Sequence, residues 1–254
     1  NGQTLFLGTC SACHARHSFS VAQARQPESC GRCHMGPDHP QIEAYYESKH
    51  GVMYEANKEK MKLADPTEKW HPGKDYLYPT CATCHMSATG TQEVTHDVGD
   101  RISWTLRPVI STRLENYEDR RKAMRQVCAS CHSEQIVERF FTSMDQGIDL
   151  YNNKFGRPAK EAMDQLLAMK KITPTPYDEK IEWVFYELWH HEGRRARHGL
   201  SKIAPDYVHW QGFYEVAKSF YTKLLPLVRE LSPQVAETML RHESHRWIEK
   251  GMTK

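Results

Sequence analysis

The sequence predicts a mainly α fold in two parts, a cysteine- and histidine-rich N-terminal part of short segments and a C-terminal part of long helices. Three observations predict it. Cys-x-x-Cys-His is written four times within the first 132 residues. From about residue 115 Gly and Pro thin out and fall where helices begin or stop. Nowhere does the chain show the apolar–polar alternation of a half-buried strand.

The four motifs are Cys10-Ser-Ala-Cys13-His14, Cys30-Gly-Arg-Cys33-His34, Cys81-Ala-Thr-Cys84-His85 and Cys128-Ala-Ser-Cys131-His132, and they use all 8 cysteines. This is the attachment signature of a c-type haem: both thiols add to the porphyrin vinyls and the adjacent His becomes the proximal ligand of the iron. Two intervening residues let the thiols reach neighbouring vinyls and bring the His under the metal. Disulfides or thiolate zinc sites would also use eight cysteines, but neither needs a His after every second one. With 15 His in 254 residues, chance would produce the four matches roughly once in 10⁵. Four covalently attached haem c groups are therefore expected.

Composition agrees. Hydrophobic residues make up only 39% of the chain, and four large apolar porphyrins would supply much of the missing core. The net charge of +2 is spread over interrupted basic patches, so no nucleic acid is expected. No apolar run approaches the roughly 20 residues needed to cross a bilayer, so no membrane span is expected. Covalent haem is fitted outside the bacterial cytoplasm, so a periplasmic or otherwise exported location is expected, with an export signal either cleaved or borne by a longer polypeptide.

Residues 1–135 form the expected haem region and 136–254 a helical region packed on it. In order, a helix is expected from Asn116 to Phe141, running through the fourth motif. A short one follows from Arg157 to Lys171, stopped by Thr173-Pro174-Thr175-Pro176. A long one runs from about Tyr177 to His198, with Gly199 as its C′ residue. Another starts at Pro205 and continues past Gly212 toward Pro226. Ser232-Pro233 caps and opens the last, to about Lys250.

Each low-spin iron needs a second axial ligand, and eleven His remain. In the long helix Ile181, Val184, Leu188, His191, Arg195 and His198 share one stripe, which directs His191 and His198 toward the core, with His190 about 100° away. His242 and His245 read as surface, and His71 and His209 as structural.

Several segments then resemble the octahaem hydroxylamine oxidoreductase family: Cys33-His34-Met35-Gly36-Pro37-Asp38-His39-Pro40 with Ser48-Lys49-His50-Gly51, Cys84-His85-Met86-Ser87 with Thr95-His96-Asp97-Val98, Trp189-His190-His191-Glu192-Gly193-Arg194-Arg195, and Asp206-Tyr207-x-x-Trp210-x-Gly212. A more distant likeness is to pentahaem cytochrome c nitrite reductase. The motif order, with a helical tail after the last haem, corresponds to the final four of the family's eight haems. The resemblance implies that His96 is the distal ligand of the Cys10–Cys13 haem and His50 that of the Cys128–Cys131 haem. His190, His191 and His198 compete for the other two, His191 first, and His17 reaches a neighbouring haem, in this chain or in the missing half. Asp38 and His39 match the family's distal-pocket acid–base pair, and Tyr207 its cross-linking tyrosine. The catalytic haem itself precedes these four in the family, so it would come from an upstream half, from a partner chain or from a ligand-free iron among the four.

The implied function is the electron-transfer part of an enzyme acting on small inorganic nitrogen compounds, by hydroxylamine oxidation or nitrite reduction. A redox partner protein is expected, and by resemblance a homo-trimer. The competing expectation is a stand-alone tetrahaem electron carrier without substrate chemistry. By its geometry Asp38 could alternatively cap a helix opening at Pro40.

Overall fold

The computed structural model describes residues 10–249. The chain is 63% helical, and among the described residues extended pairing is confined to isolated bridges such as Pro72 with Tyr76 and Trp104 with Arg113. The mainly α expectation holds. No helix is long and apolar enough to cross a membrane.

Two compact units are interleaved along the chain. Within the described residues the first comprises 10–35, 41–104 and 113–140; the second comprises 36–40, 105–112 and 141–249. All four Cys-x-x-Cys-His motifs fall in the first. Its helices are short and individually capped. The Ser20 side chain accepts from the Gln23 N–H, Ser48 from Gly51, and Thr80 from Thr83 in a reciprocal capping box. Its core is a small aromatic cluster of Tyr45, Tyr54, Met61, Trp70 and Tyr76. Trp70 stacks on Tyr76 at 4.0 Å, and the Arg25 guanidinium lies 4.3 Å over the Trp70 ring while donating to the carbonyls of Leu63 and Asp65. Large apolar side chains stay exposed between the motifs, among them Phe19, Met35, Met53 and Leu77. A unit with this little core of its own is built to pack around something else.

The second unit is a helical bundle with a continuous core through Tyr151, Leu166, Leu188, Val216, Phe220 and Val228. Its helices are longer than the punctuation suggested. The helix Glu134–Tyr151 passes through a π turn, Asn152–Gly156, straight into Arg157–Ala168. Pro205–Tyr207 likewise runs through two π turns to Leu231, past Pro226. Pro158 and Pro226 did not break these helices because a π turn ends just before each. The wider turn absorbs the ring's clash with the preceding turn and the missing N–H. The expected Asn116–Phe141 helix, by contrast, is interrupted at the fourth motif: Tyr117–Ala129 ends there and a new helix starts at Glu134.

The long helix spans Lys180–Tyr186, a π turn Glu187–Glu192 and Gly193–Lys202. It stops at Ile203, which adopts a left-handed φ of 58°, and not at Gly199. Gly199 serves packing instead: a Cβ there would lie 2.8 Å from Val208 Cγ2 and 3.1 Å from Tyr207 Cδ1. The π turn also slips the apolar stripe by one residue. Ile181, Val184 and Leu188 are buried as expected, but Glu192 and Ala196 take the core positions assigned to His191 and Arg195.

Ser232 caps its helix as expected, its side chain accepting from Val235 N–H, but the helix ends at Met239; Lys250 lies outside the described residues. His242 is exposed. His245 overturns its surface reading, being only 1% exposed. Tyr221 Oη–H donates to its Nδ1 at 2.8 Å, and its Nε2–H donates to the Lys154 carbonyl at 3.1 Å. Lys154 is four residues before Pro158, so it is the carbonyl that proline cannot serve. The imidazole supplies the missing donor and stacks on Phe220 at 5.5 Å.

Burial lowers the His245 pKa, the Lys154 and His242 charges adding to it and the Lys154 carbonyl opposing it. The neutral ring is favoured in the fold. Its contribution is therefore complete above the unfolded value of about 6.5 and is lost as pH falls toward the lowered folded value. His245→Phe should lower the melting temperature at pH 7.5 by the equivalent of roughly 1–3 kcal/mol, since two hydrogen bonds go. The gap to wild type should narrow by pH 5. A gap that stays constant with pH would contradict this account.

Candidate haem sites and an Asp–His–Arg cluster

The motif cysteines neighbour one another in chain order. Cys13, whose pKa burial raises, also feels Cys30 and Cys33. Cys30 is held low by a hydrogen bond with Cys81. Cys128 is pushed up to about 12, first by burial and next by Cys84. These thiols would be thioethers with haem attached, so the couplings matter here as a record of proximity: first motif beside second, second beside third, third beside fourth.

The third and fourth motifs are braced by local structure. The third is the helix Cys81–His85 itself, and Arg101, 2% exposed, donates to the carbonyls of Cys84 and Ser87. His85 directs Nδ1 at the Val98 carbonyl at 3.1 Å, which leaves Nε2 as the lone pair for a metal. The buried Nδ1 of His14 has no hydrogen-bond partner among the described residues. The fourth motif ends at His132, whose ring lies 6.0 Å from that of His50, centroid to centroid. Imidazoles on both faces of one iron, with metal–nitrogen bonds of about 2 Å, put their centroids roughly 6 Å apart. His50 is fixed by a tight corner. Ser48 donates to the Tyr45 carbonyl at 2.6 Å and accepts from Gly51 N–H at 3.1 Å, while a Cβ on Gly51 would fall 2.0 Å from that same carbonyl. The donor set and its spacing fit haem c. His17 and His96 are exposed on loops.

In the second unit Asp38 and His39 come together with residues that no sequence motif had singled out for this purpose. Asp38 Oδ2 is 2.7 Å from His39 Nδ1. Arg194, 8% exposed, approaches the same oxygen at 3.8 Å, donates to the Asp38 carbonyl at 3.3 Å and to the Arg107 carbonyl at 3.0 Å, and lies over the Trp189 ring. Burial pushes the Asp38 carboxyl up, but the hydrogen bond and charge of His39 outweigh it, with His190 helping, and the net shift is downward. His190 is pushed down to about 4, by burial first and then by Arg194 and His191. Its ring stacks on Tyr186 at 4.3 Å. A charged acid beside imidazoles can hold and pass a proton. The Asp38 carboxylate is thus engaged with His39 and Arg194; the helix beyond it begins at Gln41.

Tyr207 is 5% exposed and packs at Gly199. His191 is half-buried, its ring 5.3 Å from His190. His198 is buried, which drives its pKa well below the usual value, with Lys202 and the nearby arginines adding. The signal for Arg194 was present in the sequence as an arginine pair after His190-His191-Glu192-Gly193, but an arginine's role depends on what faces it.

The family described as "Seven times multi-haem cytochrome CxxCH" matches residues 5–173. A curated protein of Kuenenia stuttgartiensis, a probable nitrite reductase-hydroxylamine oxidoreductase fusion protein, is 33% identical over 69% of this chain and 24% of its own length. Among solved structures, a hypothetical multiheme protein superposes with a TM-score of 0.80 at 23% identity, covering 90% of this chain and 59% of that one. The reducing HAO-like protein complex of Kuenenia stuttgartiensis gives 0.73 at 23% identity, covering 91% and 60%. The chain therefore spans about a quarter of the curated relative and about three-fifths of each solved chain.

Proposed function

Since this chain belongs to the multihaem cytochrome CxxCH family, and so carries covalently bound haem c, we propose that it holds four such groups and conducts electrons for a hydroxylamine oxidoreductase-like enzyme acting on small inorganic nitrogen compounds. The observation that carries this reading is the chain-order adjacency of the four motifs within one compact unit. Bound haem iron supplies reversible one-electron transfer. The chain's residues anchor each group by two thiols and one His, place His50 opposite His132, and limit water's access through the aromatic core around Tyr45 and Trp70.

Asp38, His39 and Arg194 make a second centre where a proton can be held at His39 Nδ1 or Asp38 Oδ2 during oxidation of hydroxylamine or reduction of nitrite. The catalytic haem would come from an upstream half, as in the octahaem family whose last four haems this chain resembles, or from a partner chain. A redox partner protein, a trimeric assembly and an exported, periplasmic location belong to the same reading. The gathering of all four motifs in one compact unit also supports a second reading, a stand-alone tetrahaem electron carrier.

Intact mass and electron paramagnetic resonance of the purified protein test both. Four haems per chain are expected; fewer would overturn the four-haem reading. Only low-spin signals, unchanged by hydroxylamine or nitrite even with a partner chain present, would favour the carrier. A high-spin signal that responds to hydroxylamine or nitrite would favour the enzyme.

A further inference from the structure

The first compact unit contains eight histidines: the four motif histidines and His17, His50, His71 and His96. Four six-coordinate haems need eight axial imidazoles. The unit that bears every attachment site thus also bears a complete ligand set, with nothing over and nothing short. The histidines of the long helix, His190, His191 and His198, all lie in the other unit.

His71 is the member of this set that reads as structural in the sequence, and its surroundings argue otherwise. Its ring Nδ1 lies 3.0 Å from Asp75 Oδ2, and the same carboxylate oxygen accepts the His71 backbone N–H at 2.9 Å. A carboxylate that takes the Nδ1 proton fixes the tautomer, leaves the Nε2 lone pair outward and raises its basicity, the arrangement metal-ligating histidines use. His85, a motif ligand, is held in the same sense by the Val98 carbonyl. Among the described residues no hydrogen bond occupies His71 Nε2.

The loop is also tied down by its own backbone hydrogen bonds and lies within the haem-bearing unit. Asp75 N–H donates to the His71 carbonyl and Gly73 N–H to the Tyr76 carbonyl, both at 2.9 Å. Trp70 and Tyr76, buried and stacked, close its base. Gly73 has φ +78°, and a Cβ there would sit 2.0 Å from the Ser130 carbonyl oxygen and 3.2 Å from Cys131 Sγ. Only glycine fits, so the loop is seated directly on a haem-attachment motif.

We propose that His71 is a distal haem ligand, oriented by Asp75, and that the distal set is His17, His50, His71 and His96. With His50 facing His132, His71 serves one of the other three irons. His190 is thereby released to the Asp38–Arg194 centre. This assignment rests on the four-haem reading above, and haem count and ligation are read separately.

The test uses the haem-loaded full chain. His71→Ala should retain four haems by mass while one of them turns high-spin in the electron paramagnetic resonance spectrum and binds carbon monoxide after reduction. Added imidazole should restore the low-spin signal, which a merely structural role would not allow. Asp75→Asn should keep every haem low-spin and shift the potential of one upward, because its ligand becomes less basic. His191→Ala and His198→Ala should leave all four low-spin. If His71→Ala fails to fold, His71→Met replaces it, with one haem expected to change from His/His to His/Met ligation. The assignment is overturned if either His71 variant keeps four His/His low-spin haems, or if His191→Ala or His198→Ala opens one. A wild-type mass with fewer than four haems would instead overturn the four-haem reading.

Discussion

His50→Ala is expected to open one haem per chain to external ligands. The warrant is the 6.0 Å spacing of the His50 and His132 rings, which matches two imidazoles sharing one iron. Removing the distal imidazole leaves His132 as sole protein axial ligand, so after reduction about a quarter of the haem absorbance should respond to carbon monoxide, with the haem count unchanged. Ser48→Ala is the graded companion. It removes the cap of the helix Lys49–Asn57 and the bond to the Tyr45 carbonyl, costing about 1 kcal/mol of stability while leaving the ligand in place. It should lower the melting temperature slightly and leave the spectrum as it was. Failure of His50→Ala to bind carbon monoxide would remove the pairing on which the fourth site is assigned.

Gly212→Ala is expected to be the most damaging single methyl in the second unit. An added Cβ would lie 2.6 Å from Ala196 Cα and 3.0 Å from Ala196 N and Cβ. The obstacle is the backbone of the neighbouring helix, so no side-chain rotation relieves it. The helices carrying Gly212 and Ala196 would have to separate. Overpacking of this kind costs about 3 kcal/mol, or a fall of roughly 5–12 °C in melting temperature for a chain of this size. Gly90→Ala is the control, because nothing lies within 4 Å of its added Cβ. Equal melting temperatures for the two variants would refute the close-approach argument.

The haem sites are only partly legible in the sequence. A covalent anchor is written locally: two thiols and an imidazole must occur within five residues, so Cys10 to His14 and its three counterparts declare themselves. Distal ligands carry no such local signature. His71 and His245 look alike as isolated histidines, yet one stands on a carboxylate-locked loop and the other completes a proline's missing hydrogen bond in the bundle. Only the surroundings distinguish them. The helix termini mislead for a related reason. Proline and glycine report local backbone preference, whereas π turns ahead of Pro158 and Pro226 and the close packing at Gly199 are settled by contacts between helices.

By itself, then, the sequence determined the helical class, the Cys-x-x-Cys-His motifs of a multihaem cytochrome and the pairing of Asp38 with its neighbour His39, because each depends on residues adjacent in the chain or on periodic burial. Tertiary structure decided which side chains meet across long separations: Arg194 against Asp38, His50 opposite His132, and the His71 loop on Cys131. It also decided the register of the long helix, where one π turn moved Glu192 into the place His191 was expected to hold. The physical reason is that these contacts depend on packing and on the satisfaction of buried polar groups, which join residues far apart in sequence and leave no spacing to read.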